Sequence, residues 1–178
     1  GVVIFAMSVV MARLFNAELK QFLPYLTAGM VSWTLISSLI NEGTSVFISA
    51  EGLIKSLRFP LTTLICSLVC RNIIVFGHNI VIYVLVMVYA GIPLTLSTLL
   101  LLPGLLLVAL NAIWVAIMLG IFGARFRDIP PVVMAVLQIV VFITPIFWNA
   151  EQIKGKVGFV LTDLNLFYHF VQIVRSPL

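Results

Sequence analysis

Arg71 and His78 stand seven residues apart in one long apolar run, and Asn72 and Asn79 form a second pair beside them. Seven residues is close to two helical turns, so each pair shares a helix face. Glu42 sits in an earlier apolar run. A histidine and a carboxylate in an apolar medium are the residue types that could relay a proton. The same side chains could instead bond packed helices to one another, with Arg71 reaching the nearer headgroups. The run that carries His78 holds no carboxylate, so inter-helix bonding is the preferred reading of this stripe. Glu42 reads either as an interfacial or solvated carboxylate near a helix end or as an intramembrane polar contact with another helix or with a substrate.

The sequence holds little other reactive chemistry. Gly155-Lys156 is followed by valine and lacks the upstream glycine of a phosphate-binding loop. There is no H-E-x-x-H and no G-x-S-x-G elbow, and His78 and His169 lie in separate segments. Cys66 and Cys70, four residues apart inside an apolar run, read as small buried side chains and not as a metal or redox pair. No catalytic residue, metal or cofactor is expected on this chain.

The elements that carry these residues follow from composition. Apolar residues make up 62% of the 178, charged residues 9%, and mean hydropathy is +1.23. A soluble domain carries about 25% charged residues to cover its surface, so this chain is an all-α membrane protein whose helices cross lipid. Barrel strands would alternate apolar and polar residues, and Leu99-Leu100-Leu101-Leu102 does not. A net charge of +4 without a basic cluster gives no indication of nucleic acid.

About five spans are expected in a single transmembrane domain, residues 1–178. Gly1 to Ala12 reads as the end of a first span, without the basic n-region of a signal peptide. Arg13 to Pro24 reads as a polar turn. Tyr25 to Ile48, Leu61 to Tyr89 and Leu94 to Phe122 read as the next three spans, and the run closing on Thr144 to Trp148 as the fifth. Pro145 removes a helix bond near its end, so a kink or stop is expected there. Phe142, Phe147 and Trp148 suit an interfacial belt.

Two connections stand out on one side of the membrane. In Ser49 to Pro60, Leu53, Ile54 and Leu57 fall on one side of a short helix, and Glu51, Lys55 and Arg58 occupy the rest. Gly52 loosens its entry, and Pro60 suits the first turn of the next helix. This segment is either a plain connector or a surface helix that docks a partner. The turn Arg125-Phe126-Arg127-Asp128 reads as a set of interfacial anchors. On the other side, Leu164 to Val174 is apolar but too short to span, which suits a re-entrant or interfacial helix capped by Asn165 and ended by Pro177. Cations divide between the two sides, so charge does not orient the chain.

A set of motifs in order along the chain carries a resemblance: Gly52-Leu53-Ile54-Lys55 with Arg58-Phe59-Pro60, Arg125-Phe126-Arg127-Asp128, Thr144-Pro145-Ile146-Phe147, and Tyr168-His169-Phe170 with Arg175-Ser176-Pro177-Leu178. It resembles the membrane subunit of ABC-2-type polysaccharide exporters. Arg71-Asn72 with Phe76-Gly77-His78-Asn79 is similar to the O-antigen branch of that family; Asn165-Leu166 departs from its usual Asn-Pro.

The resemblance implies six spans per subunit, a homodimer in the bacterial inner membrane, and a separate cytoplasmic ATPase subunit that carries ATP and magnesium. It implies that Glu51, Gly52, Leu53, Ile54, Lys55, Leu57, Arg58 and Phe59 belong to the coupling helix. Arg125, Arg127 and Asp128 would lie on the same cytoplasmic side. Pro145, Phe147, Trp148, Asn165, Tyr168, His169 and Arg175 would belong to the periplasmic gate region. The implied cargo is a lipid-linked O-antigen, capsule or teichoic acid polymer passing between two subunits lined by aromatic side chains. The alternatives are an ABC-2 permease for a drug or lipid, and a proton-coupled carrier using His78 and Glu42.

Overall fold

The computed structural model describes residues 19–56, 60–91, 96–147 and 165–177, with the single residues 6, 10 and 162. Every regular element among them is helical: α1 (Leu19–Ser49), α2 (Glu51–Ser56), α3 (Thr62–Ala90), a 3-10 turn (Leu96–Leu100) leading into α4 (Leu101–Arg125), α5 (Ile129–Ile143) and α6 (Leu166–Arg175). Three stretches are long and apolar enough to cross a membrane: Phe22–Ser56, which is mostly α1, then Thr62–Ala90 and Thr98–Arg125. At 1.5 Å per residue α1, α3 and α4 measure roughly 37–47 Å, so they tilt or protrude from a ~30 Å hydrocarbon core. Apart from Ala6 and Val10, the expected first span lies outside the described residues, as does the segment around Lys154 and Lys156.

One boundary differs from expectation. Residues 19–24 were expected in a polar turn, yet α1 begins at Leu19 and passes through Pro24. Proline forfeits one bond to the carbonyl four residues back. Phe22, Leu23 and Leu26 are buried around it, and their burial, about 1.5–3 kcal/mol for each large side chain, outweighs that bond.

α1 is the central helix. One of its sides packs Val31, Leu35 and Leu39 against Ile65, Leu68, Val69 and Phe76 of α3 and Val108 and Ala116 of α4. The other packs Phe22, Leu26, Trp33 and Ile36 against Leu137 of α5, Ile146, Phe147 and Val171 of α6. Thr27 and Ser32 are fully buried, and their hydroxyls donate to the carbonyls of Leu23 and Ala28, at 2.7 and 2.8 Å. α3 and α4 instead expose long apolar faces that include Ile74, Leu85, Leu106 and Leu110. Cys66 and Cys70 lie on such an exposed face and not in the interior where they were expected. The i, i+4 spacing put them on one face of α3, and the tertiary fold turned that face outward.

Backbone approach is closest where α1 crosses α4. A Cβ at Gly123 would fall on the carbonyl oxygen of Thr44. Small residues let helices touch in this way, which is how spans associate where lipid gives no hydrophobic drive between them. α3 ends on Gly91, whose φ of 72° is left-handed; its N–H reaches the carbonyls of Met87 and Val88.

α5 stops at Ile143, as Pro145 predicts. A residue before proline is pushed out of the helical region, and Thr144 is extended, at φ −75° and ψ 133°. With 15 residues α5 is about 22 Å long, short of a span on its own. α6 falls where the short apolar segment was expected, with Asn165 accepting from the N–H groups of Phe167 and Tyr168.

Candidate functional site

Three clusters carry the residues singled out above, and the fold brings each together from different helices.

The first lies where α1 ends. Ile54 N–H bonds the Ala50 carbonyl at 2.9 Å, so α2 turns directly off α1. Leu53 is 44% exposed, and none of the α2 residues is buried. The Glu51 carboxylate accepts from Lys55 Nζ at 2.6 Å, one helical turn on. It also faces Arg127 Nη2 at 3.4 Å, from the turn between α4 and α5. Lys55 first, then Arg127, hold the Glu51 carboxyl below its ordinary value of 4.5. On that turn the Arg125 guanidinium lies 5.6 Å above the ring centroid of Phe126, and Phe126 is 53% exposed. Arg125 and Asp128 are exposed. Leu57, Arg58 and Phe59 lie outside the described residues.

The second cluster is between α1 and α3. Arg71 Nη2 and Asn72 Nδ2 each reach Oε2 of Glu42 at 2.6 Å, and Asn72 also donates to the Leu68 carbonyl at 3.0 Å. Inter-helix bonding was the preferred reading of the stripe, and this is its form. Arg71 pairs with Glu42 while its side chain stays 65% exposed. Glu42 makes the contact with another helix and keeps its side chain 40% exposed. The stripe also divides: Asn72 is buried, Asn79 half-buried, and His78 exposed. Glu42 is bonded to Arg71 and Asn72 and not to His78, so the fold does not assemble the pair that a proton relay needs.

The third cluster ties α6 to the turn after α5. Asn165 Nδ2 donates to Thr144 Oγ1 at 3.1 Å, and Arg175 Nη1 to the Pro145 carbonyl at 3.2 Å. One turn is therefore held from both ends of a ten-residue helix. The Arg175 guanidinium lies 3.3 Å from the ring centroid of Tyr25. Its Nη2 is buried without a hydrogen-bond partner, and burial pushes its pKa below the ordinary guanidinium value, with Tyr25, Tyr168 and Tyr83 offsetting part of the shift. Gln172 Nε2 donates to the Tyr168 hydroxyl at 2.7 Å. His169 is exposed and meets the Tyr168 ring edge-on. Phe147 is buried against the Phe142 ring. Trp148 lies outside the described residues.

Pro145, Asn165, Tyr168 and Arg175 were singled out from sequence and do converge. Tyr25, Tyr83 and Thr144 were missed as their partners. Tyr25 and Tyr83 lie on separate spans, with no local pattern to link them. Glu42 was seen, but its partners stand 29 and 30 residues away.

A half-open cleft of about 160 Å³ lies between α1, α4 and α6, walled by Ile36, Leu39, Val108, Ala112 and Phe170, with Asn111 as its polar lining residue. Among the described residues no group of three or more histidine, cysteine or acidic side chains could hold a metal ion.

Compared with known families, the whole chain, residues 1–178, matches the model described as ABC-2 type transporter. No curated protein matches it.

Proposed function

The chain belongs to the ABC-2 type transporter family and is a multi-pass membrane component of an ABC transporter, and from that premise we propose that it exports a polysaccharide across a bacterial inner membrane. The family generally pairs with an ATP-binding subunit. In this reading ATP and magnesium sit on that subunit, two copies of the chain flank one pathway, and α2 is the coupling helix in the cytoplasm. The α6 end then faces the periplasm.

The observation that carries the reading is α2 itself. It is a six-residue helix with no buried residue, set between two spans and braced to the α4–α5 turn, with apolar Leu53 presented outward beside charged Glu51 and Lys55. For the cargo, the support is the set of motifs shared with polysaccharide exporters. Aromatic side chains at the far end, Tyr25, Phe167 and Tyr168, are half-buried, and such faces stack on flat or ring-shaped groups with little sequence demand.

Leu53→Asp with Ile54→Asp should abolish export of surface polysaccharide, and the permease should remain in the membrane at wild-type level. Unchanged export in that double variant would sink the coupling role. The apolar cleft beside α6 favours a second reading, a lipid or drug cargo. Reconstituted vesicles separate the two: vanadate-sensitive ATP hydrolysis stimulated by a lipid-linked glycan, and not by the same lipid without sugar, supports the polysaccharide.

A further inference from the structure

α6 touches α4 near its end and stands away from it near its start. We propose that the cleft this leaves between α1, α4 and α6 is a binding site for one acyl chain of a membrane phospholipid. The lipid is held as a resident and is not moved as cargo. The inference rests on the membrane location of the chain and not on what the transporter carries.

Shape is the first argument. A Cβ at Gly104 would stand 3.1 Å from the Ile173 carbonyl oxygen, so α4 and α6 are in close backbone contact there. Toward the start of α6 the two helices part, and Leu166 and Phe170 share with Val108 and Ala112 a space of about 160 Å³. An apolar cavity of about 150 Å³ takes up benzene, so this one holds a comparable stretch of narrow chain, about half a dozen carbons. A whole helix, ~10 Å across, is too wide for it.

Depth is the second. Leu39 lies near the middle of α1, and Asn111 and Ala112 lie near the middle of α4. Both helices belong to stretches that can cross a membrane, so the cleft sits about 15 Å below either surface of a ~30 Å hydrocarbon core. Headgroups, sugars and soluble partners stay outside that depth, and lipid tails fill it. Leu166 on the lining is 65% exposed, and Leu107 and Leu110 beside it on α4 are exposed and apolar, so the cleft opens onto a face suited to hydrocarbon.

Polarity is the third. Asn111, the polar residue of the lining, is already engaged. Its Nδ2 donates to the Leu107 carbonyl at 2.9 Å, and its Oδ1 accepts from Trp114 Nε1 at 3.4 Å. The cleft therefore asks no hydrogen bond of its occupant, which suits a hydrocarbon chain and penalises a ligand with polar groups. Left empty, the lining forfeits dispersion contacts. A chain that fills it supports the start of α6, where α4 stands away.

The test uses the permease with its ATP-binding subunit in nanodiscs of phospholipid that carries a photoactivatable diazirine, either near the end of an acyl chain or beside the headgroup. Mass spectrometry of the digested protein reads the labelled residues. The deep probe should label Leu39 and Val108, which line the cleft yet are only 5% and 4% exposed, so that surrounding lipid barely reaches them. The shallow probe should label neither. Ala112→Phe puts a ring into the cleft; it should abolish that labelling and leave the labelling of exposed Leu85 on α3 unchanged. The wild-type experiment depends on no variant and decides the proposal by itself. Absence of deep-probe label at Leu39 and Val108, whether a second copy covers the cleft or nothing fills it, overturns the proposal. Label that appears only with a diazirine-bearing isoprenoid lipid overturns the assignment to phospholipid. Turnover separates resident from cargo: with ATP and magnesium the label should persist. Label lost only during turnover would make the lipid a cargo, which overturns the proposal and favours the lipid reading of function.

Discussion

The two ends of this helical bundle are held by opposite kinds of contact. At the α2 end, side chains meet through exposed charges: Lys55 and Arg127 on Glu51, and Arg125 over Phe126. At the α6 end, they meet through buried and part-buried polar contacts: Arg175 on the Pro145 carbonyl and on the Tyr25 ring, and Asn165 on Thr144. Water screens the first set, so those contacts add little to stability. The second set is largely shielded from water, so each bond there counts for more and each loss leaves a polar group stranded. One end leaves its charged groups in water, and the other closes its polar groups upon one another.

The largest effect should come from the seam just inside the open end, which shows how shallow its openness is. Gly123→Ala places a methyl group on the Thr44 carbonyl, and helices α1 and α4 must part. A loss of at least about 3 kcal/mol is expected in detergent unfolding. Gly52→Ala, with nothing within 4 Å of the new atom, should leave the melting curve within error. Equal curves for the two variants would mean that the seam is not tightly packed.

Arg175→Ala should cost about 2–3 kcal/mol, through lost packing on Tyr25 and an unsatisfied Pro145 carbonyl. Arg175→Met should cost less, about 1–2 kcal/mol, because an apolar chain of comparable length keeps packing on Tyr25 while the Pro145 carbonyl still loses its donor. A methionine variant as unstable as the alanine variant would show that the charge itself holds the closed end.

Asn165→Ala removes a helix cap and the Thr144 bond together, for about 1–2 kcal/mol. Faster hydrogen exchange should be confined to α6 and the 144–147 turn. Exchange that quickens through α1 as well would break the picture of a local latch.

Glu51→Gln should be the smallest, with at most a slight change in melting at pH 7, because its ion pairs are exposed. Its lowered pKa fixes the pH window. The carboxylate's contribution is present above the ordinary value of 4.5 and is lost as pH falls below it, through the depressed folded value. A wild-type melting temperature that declined between pH 7 and pH 5 would point to another group.

Hydropathy and breakers alone determined the class, the three long helices, the stop before Pro145 and the short capped helix that begins after Asn165, because each depends on residues within a few turns of one another. The start of α1 escaped that reading: Pro24 breaks a helix locally, and only the burial of Phe22, Leu23 and Leu26 offsets it. Which polar side chains meet was beyond it too. Glu42 with Arg71, Glu51 with Arg127 and Arg175 with Tyr25 are separated by 29, 76 and 150 residues. Helical periodicity says which face a residue occupies, not which helix that face will meet. Packing of α1 against its neighbours decided that, turning Asn72 inward to Glu42 and leaving His78, on the same apolar run, facing out.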